Sequence, residues 1–305
     1  MFSKYVENVD ERVDNVLALE IIPLLIEFLE CYHDNLLQAG STQHTQALVA
    51  GDVTQHLIKV LTTSTNIEVQ TQIIWALGNI AGDGAVFRDI ILSAGVIEPL
   101  LYILTHYDKY DYMAVRITVW ATANMCRGCR CSDPSWSLKQ TQSVIDAGAL
   151  TILTSSFLTT KNLTLRRDAC LAVSNVAAGT YKQVNAVLTE PNLIESIVAL
   201  LWDSDMKVVK EACWVLSNST SPNSSQILAN EYADKLASAG IVEALIMTWN
   251  NSSVNEIVKE KVRALLERWF CGYLPRNNQS SGEIEEDIAS IEERVSRLTI
   301  MGGVF

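Results

Sequence analysis

Four segments place an asparagine four residues after a bulky apolar side chain: Trp75–Asn79, Trp120–Asn124, Leu171–Asn175 and Trp214–Asn218. On a helix, residues four apart project from the same face. Each pair therefore offers an apolar platform beside an amide. The amide carries both donor and acceptor, so it can bind the N–H and C=O of an extended peptide. Neighbouring indoles form slots in which lysine stems pack and their cations lie near ring faces. Carboxylates at the slot ends would add charge-assisted hydrogen bonds to ammonium or guanidinium groups. A single Trp on a helix is ordinarily core, and a single Asn a cap or a solvated residue. Three Trp-x-x-x-Asn copies in one register call for a shared surface, with aliphatic core positions repeating around them.

That register comes from an internal repeat. Successive motif asparagines lie 45, 51 and 43 residues apart. A second marker, Ala-Gly, recurs as Ala50-Gly51, Ala94-Gly95, Ala147-Gly148 and Ala239-Gly240. Each glycine is followed by an apolar run such as Val96-Ile97-Glu98-Pro99-Leu100-Leu101, and the run from Leu193 to Leu201 persists without a glycine. A period of about 40–47 residues with two or three helices per unit is the mark of armadillo and HEAT arrays. Each unit reads as a short first helix ended by a left-handed glycine, a second helix with apolar positions at Ile97, Leu100, Leu101 and Leu104, and a long third helix bearing the motif. Third helices are expected around 68–81, 113–126, 164–177 and 207–219. In the last unit Arg263 and Glu267 are read as standing in the places of Trp and Asn, suited to a capping repeat. Pro99 falls in a first helical turn, where a missing N–H costs little. No period-2 alternation or hairpin turn points to strands.

The expected architecture is all-α: a right-handed armadillo-repeat α-solenoid of about five repeats. It covers 16–271, after an N-terminal segment, 1–15. Beyond it, 272–305 forms a polar linker and an acidic amphipathic tail, in which Ile284, Ile288, Ile291, Val295 and Leu298 follow helical spacing. That tail is either a docking helix or a partly ordered end.

Composition narrows the function. The net charge is −12, which suits basic partners and argues against a direct nucleic-acid binder. No apolar run reaches the length of a membrane span, and Met1 to Tyr5 does not read as a signal peptide. The seven cysteines read as reduced, with several at core positions. Cys126, Cys129 and Cys131 cluster, but no fourth ligand lies at a zinc-site spacing, so packing at a helix end is the reading and no metal or cofactor is expected. The four histidines are scattered, and neither a nucleophile–base pair nor a phosphate loop is present, so no enzyme activity is expected.

The block from Val69 to Gly84, with Trp75-Ala-Leu-Gly-Asn79 and Asp83 inside it, closely resembles a central armadillo repeat of importin-α. Thr118 to Arg127 and Lys210 to Asn218 agree, and Gly240 to Phe270 resembles that family's last repeat. The family carries nuclear-localisation-signal cargo to importin-β. The resemblance implies that Trp75, Asn79, Trp120 and Asn124 belong to a major signal-binding site, with Asp83 as the acid that pairs with its key lysine. Asp168 and Asn175 would lie in the same groove, while Glu211, Trp214 and Asn218 match the minor site. It further implies Lys/Arg-rich cargo, importin-β and a recycling exportin as partners, and residence in cytoplasm and nucleus. The pattern departs from the family in three places. Leu171 replaces a Trp and opens a slot. The array read here is shorter than the family's. Met1 to Glu20 holds only Lys4 and Arg12 as basic residues, where the family has a basic segment that recruits importin-β and covers the groove. The expectation is a constitutively open groove, serving either a reduced import adaptor or an armadillo scaffold, chaperone or decoy without coupling to importin-β.

Overall fold

The computed structural model describes residues 45, 53–127, 134–220 and 226–270. The repeat expected from Val16, the acidic tail, Cys129 and Cys131 lie outside the described residues. Every described element is helical, and none is a strand. No single described helix is long and apolar enough to cross a membrane. The chain divides into two compact units, Met1–Phe157 and Leu158–Phe305.

In the first unit, α1 (Val53–Thr63) and α2 (Ile67–Asp83) form the second and third helices of a repeat. A full three-helix repeat follows as α3 (Ala85–Ser93), α4 (Ile97–Thr105) and α5 (Tyr112–Met125), with a 3-10 turn, Tyr107–Lys109, before α5. Then come α6 (Pro134–Asp146) and α7 (Ala149–Ile152), which runs into a π-helical turn at Leu153–Phe157. The core is aliphatic. Ile73, Ile74 and Leu77 on α2 and Leu100 and Leu104 on α4 are fully buried, as are Val119 and Ala123 on α5.

The second unit opens with the third helix α8 (Leu163–Ala177). Two complete repeats follow: α9 (Tyr181–Thr189), α10 (Leu193–Leu201) and α11 (Met206–Ser219), then α12 (Gln226–Ser238), α13 (Ile241–Asn250) and α14 (Glu256–Trp269). Val176, Val187, Leu193, Val208, Leu216, Ile241, Leu245, Val262 and Leu266 build its core. The four expected third helices thus lie within two residues of their expected bounds, and α14 supplies a fifth.

Two polar devices set the helix ends. Gly95, Gly148 and Gly240 all stand at φ 91°, in the left-handed region that ends a helix cleanly. In the repeat without the glycine, Asn192 takes that conformation at φ 61°, because Asn tolerates it best among residues with a Cβ. Each third helix starts on an Asn or Asp whose side chain accepts from backbone N–H groups of the first turn. Asn66, Asp111, Asn162, Asp205 and Asn255 are these caps. The motif position lies nine residues after the cap in α2, α5, α8 and α11, and the motif Asn thirteen after it. Counting from Asn255 puts Ala264 and Arg268, not Arg263 and Glu267, in the Trp and Asn places of α14. The one-residue error arose because α14 carries neither motif residue to align on. Arg263 and Glu267 instead form an ion pair along the helix at 3.3 Å.

Three buried cysteines, Cys126, Cys170 and Cys213, pack in helix interfaces. Burial pushes the Cys126 and Cys213 thiols up to about 12 and raises Cys170 as well, so they sit as neutral thiols in the core. No group of His, Cys, Asp and Glu able to hold a metal ion occurs among the described residues.

No atom would lie within 4 Å of a Cβ added at Gly148, so Gly148→Ala isolates the backbone term. The substitution should cost about 1–2 kcal/mol from the left-handed conformation alone. Thermal unfolding followed by circular dichroism should show a melting temperature lowered by several degrees.

Candidate functional site

In the first unit, α2 and α5 make its most extensive helix pairing. What lets them approach is a pair of glycines. A Cβ on Gly78 would lie 2.5 Å from Cζ3 of Trp120 and 3.2 Å from Cβ of Ala121, and one on Gly82 would lie 3.3 Å from Nδ2 of Asn124. Gly78 and Gly82, four apart on α2, thus receive Trp120 and Asn124, four apart on α5. Asn124 is only 7% exposed and donates from Nδ2 to the carbonyl oxygen of Gly78 at 3.0 Å. A helical carbonyl has a second lone pair beyond its intrahelical bond, so this contact leaves the ladder of α2 intact.

The remaining candidates of this unit stand more open. Trp75, Asn79 and Trp120 are half-buried, and Asp83 at the end of α2 is exposed. Neither Asn79 nor Asp83 has a hydrogen-bond or ion-pair partner among the described residues. α2 holds no Lys or Arg, and α5 only Arg116. Trp75, Asn79 and Asp83 lie at spacing four on α2 and share its face, beside the half-open ring of Trp120. Together they offer an amide, two indoles and an uncommitted carboxylate.

The second unit repeats the scaffold with different chemistry. α8 and α11 form its most extensive pairing. Asn218 donates from Nδ2 to the carbonyl oxygen of Ser174 at 2.9 Å. Ser174 immediately precedes Asn175, as Gly78 immediately precedes Asn79, so the same cross-helix bond occurs at the same repeat position. The carboxylates, however, are taken. Asp168 is 3% exposed, and its Oδ1 accepts from Nε and Nη2 of Arg167 at 3.0 and 2.8 Å. A buried carboxylate needs such a partner to remain charged. A peptide cation would have to displace Arg167 from it. Glu211 is 3.4 Å from Nζ of Lys210. Leu171 and Asn175 are half-buried, and Asn175 already interacts within the chain. Trp214 is half-buried, and Nζ of Lys261, from α14, lies 3.4 Å from its ring centroid. Lys261 and Arg167 were not expected at the face. Counting six residues from the Asn255 cap would have found Lys261, because that place holds Asp168 in α8 and Glu211 in α11.

Known proteins match this chain in sequence and fold. Residues 41–82 match the Armadillo/beta-catenin-like repeat family. The chain is similar to importin subunit alpha-1b of Oryza sativa subsp. japonica, 26% identical over 217 residues, covering 68% of this chain and 38% of the rice protein. It is also similar to importin subunit alpha-2 of Arabidopsis thaliana, 26% identical, covering 62% of this chain and 35% of that protein. Among solved structures, a designed armadillo repeat protein in complex with peptide (KR)4 superposes with a TM-score of 0.63 at 27% identity, covering 81% of this chain and 98% of the designed one. The chain has an armadillo-repeat fold and is similar in sequence to importin subunits alpha. It spans under two fifths of the length of those rice and Arabidopsis relatives. The relatives are importin subunits alpha, and the designed armadillo protein is in complex with the basic peptide (KR)4.

The close approach at Gly78 is testable. Gly78→Ala gains helix propensity of up to about 1 kcal/mol but forces Trp120 outward, an overpacking cost of about 1–3 kcal/mol. A net loss of stability is expected in denaturant unfolding, with a changed near-ultraviolet dichroism band from the displaced indole.

Proposed function

We propose that the chain is a basic-peptide-binding armadillo module whose working face lies on the first unit. The observation that carries this is the open trio of Trp75, Asn79 and Asp83 beside Trp120, with Asn79 and Asp83 uncommitted among the described residues. Asn79 is placed to bind a peptide backbone. The indoles would hold a lysine stem, and Asp83 would receive the cation. The net charge of −12 favours encounter with basic segments. The likeness to importin subunits alpha and to a designed armadillo protein that carries (KR)4 supports the same ligand class.

Through that likeness we infer a role as an adaptor for Lys/Arg-rich nuclear-localisation-signal cargo, moving between cytoplasm and nucleus with importin-β and a recycling exportin. The second reading is a scaffold, chaperone or decoy for basic segments without importin-β. The self-paired acids of the second unit favour it, since they leave fewer open contacts for cargo than the family pattern would. A pull-down of the full chain with importin-β separates the two: retention supports the adaptor, and failure to bind supports the scaffold.

Titration of (Lys-Arg)4 against the chain should show binding that weakens as salt rises, since partly exposed charges are screened. Asp83→Lys should weaken it by at least about tenfold, equivalent to about 1.4 kcal/mol, by setting like charge against the peptide cation. Undiminished binding by Asp83→Lys would falsify the assignment of this face.

A further inference from the structure

The second unit repeats the fold of the first, yet the acids of its slot and the face of its indole are already met from within the chain. The register makes this visible. Six residues after the cap, α8 carries Asp168 and α11 carries Glu211, whereas α14 carries Lys261. The sign of the charge inverts at the last helix of the row. α14 packs against α11, and Lys261 reaches the indole of the preceding helix with its Nζ 3.4 Å from the Trp214 ring centroid. That is well inside the roughly 6 Å range of a cation–π contact. The lysine is half-buried, so its stem is packed and not loosely solvated. Asp168 and Glu211, the acids that a visiting cation would seek, are held by Arg167 and Lys210.

We propose that Lys261 occupies the Trp214 slot as an internal counterpart of a peptide lysine, and that it is the residue restricting this protein to ligands with a single basic cluster, read on the first unit. The restriction rests on the peptide-binding reading above; the filled slot does not. A group tethered in place acts at an effective concentration on the order of millimolar or more. A peptide lysine whose contact with Trp214 is weaker than that cannot displace it. In the first unit no cation among the described residues lies over the ring of Trp75 or Trp120: α2 carries no Lys or Arg, Arg127 reaches the Gly82 carbonyl oxygen at 3.5 Å, and Asp83 is exposed without an ion-pair partner among the described residues. Six residues after the cap the first unit carries Gln72 and Ile117, so among the described third helices only α14 puts a cation at that place. A second basic cluster in a ligand gains nothing from the Trp214 slot while Lys261 is there.

Two measurements on the full chain decide this. The first is amine labelling with an acetylating reagent, read residue by residue by mass spectrometry. Lys261 should react several-fold more slowly than the exposed Lys207, and Trp214→Leu should remove that protection. Equal labelling of Lys261 and Lys207 in the wild type would overturn the proposal, whether or not any peptide binds. The second is calorimetric titration with (Lys-Arg)4. The wild type should take up one peptide per chain, Lys261→Ala a second, and Lys261→Glu a second with higher affinity, because it restores the acid found at this place in α8 and α11. Circular dichroism establishes that both variants are folded. A second peptide bound by the wild type, or none gained by either folded variant, overturns the restriction to one cluster. If neither wild type nor variant binds the peptide, the peptide-binding reading fails, and the labelling still decides whether the slot is filled.

Discussion

The structure depends on a bond from an asparagine amide to the backbone carbonyl of the neighbouring third helix. Asn124 reaches Gly78 and Asn218 reaches Ser174 at matching repeat positions. Third helices in a stack share a long apolar seam, and such a seam alone tolerates sliding, because aliphatic packing has little directional preference. A buried amide does not tolerate it, since a shift of one residue would leave a polar group unsatisfied at a cost of about 1–3 kcal/mol. The asparagine therefore fixes the register in which α5 meets α2 and α11 meets α8. Every side chain on the shared face takes its position from that register.

The bond also limits what the asparagines can do for a ligand. Asn124 has one amide N–H committed and little exposed surface, while Asn79 keeps its amide uncommitted among the described residues. The same repeated residue thus serves two roles, joining helices and meeting solvent, in proportions set by its burial. The small residues opposite matter as much. Glycine at 78 and 82 lets an indole and an amide settle against backbone, and no larger side chain fits the 2.5 Å left beside Trp120.

Charge separates the two units more than shape does. On α2 and α5 the acids Glu68 and Asp83 outnumber the one base, Arg116. On α8 and α11 the bases Arg166, Arg167, Lys207 and Lys210 outnumber Asp168 and Glu211, and both acids are paired internally. Arg166 itself bridges to Asp203 at 2.6 Å. Carboxylates and cations placed one residue apart neutralise each other locally, so a face can keep the family's residue types and yet present little charge to a visitor.

The sequence by itself determined the repeat, the helix ends and the candidate pairs. Ala-Gly markers and Trp-x-x-x-Asn spacing are local, periodic signals, and the physics they encode, left-handed glycine and same-face projection, acts within a few residues. Only the tertiary structure decided which of those residues are still available. Whether Asp168 is free depends on the rotamer of Arg167, and whether the Trp214 slot is open depends on Lys261, a residue 47 positions away on another helix. The Trp and Asn places of α14 were read one residue early because the helix carries neither residue to align on, and the cap that sets its register shows itself when the Asn255 side chain accepts from the Val258 N–H. Periodicity specifies where side chains point, but not which neighbour reaches them first.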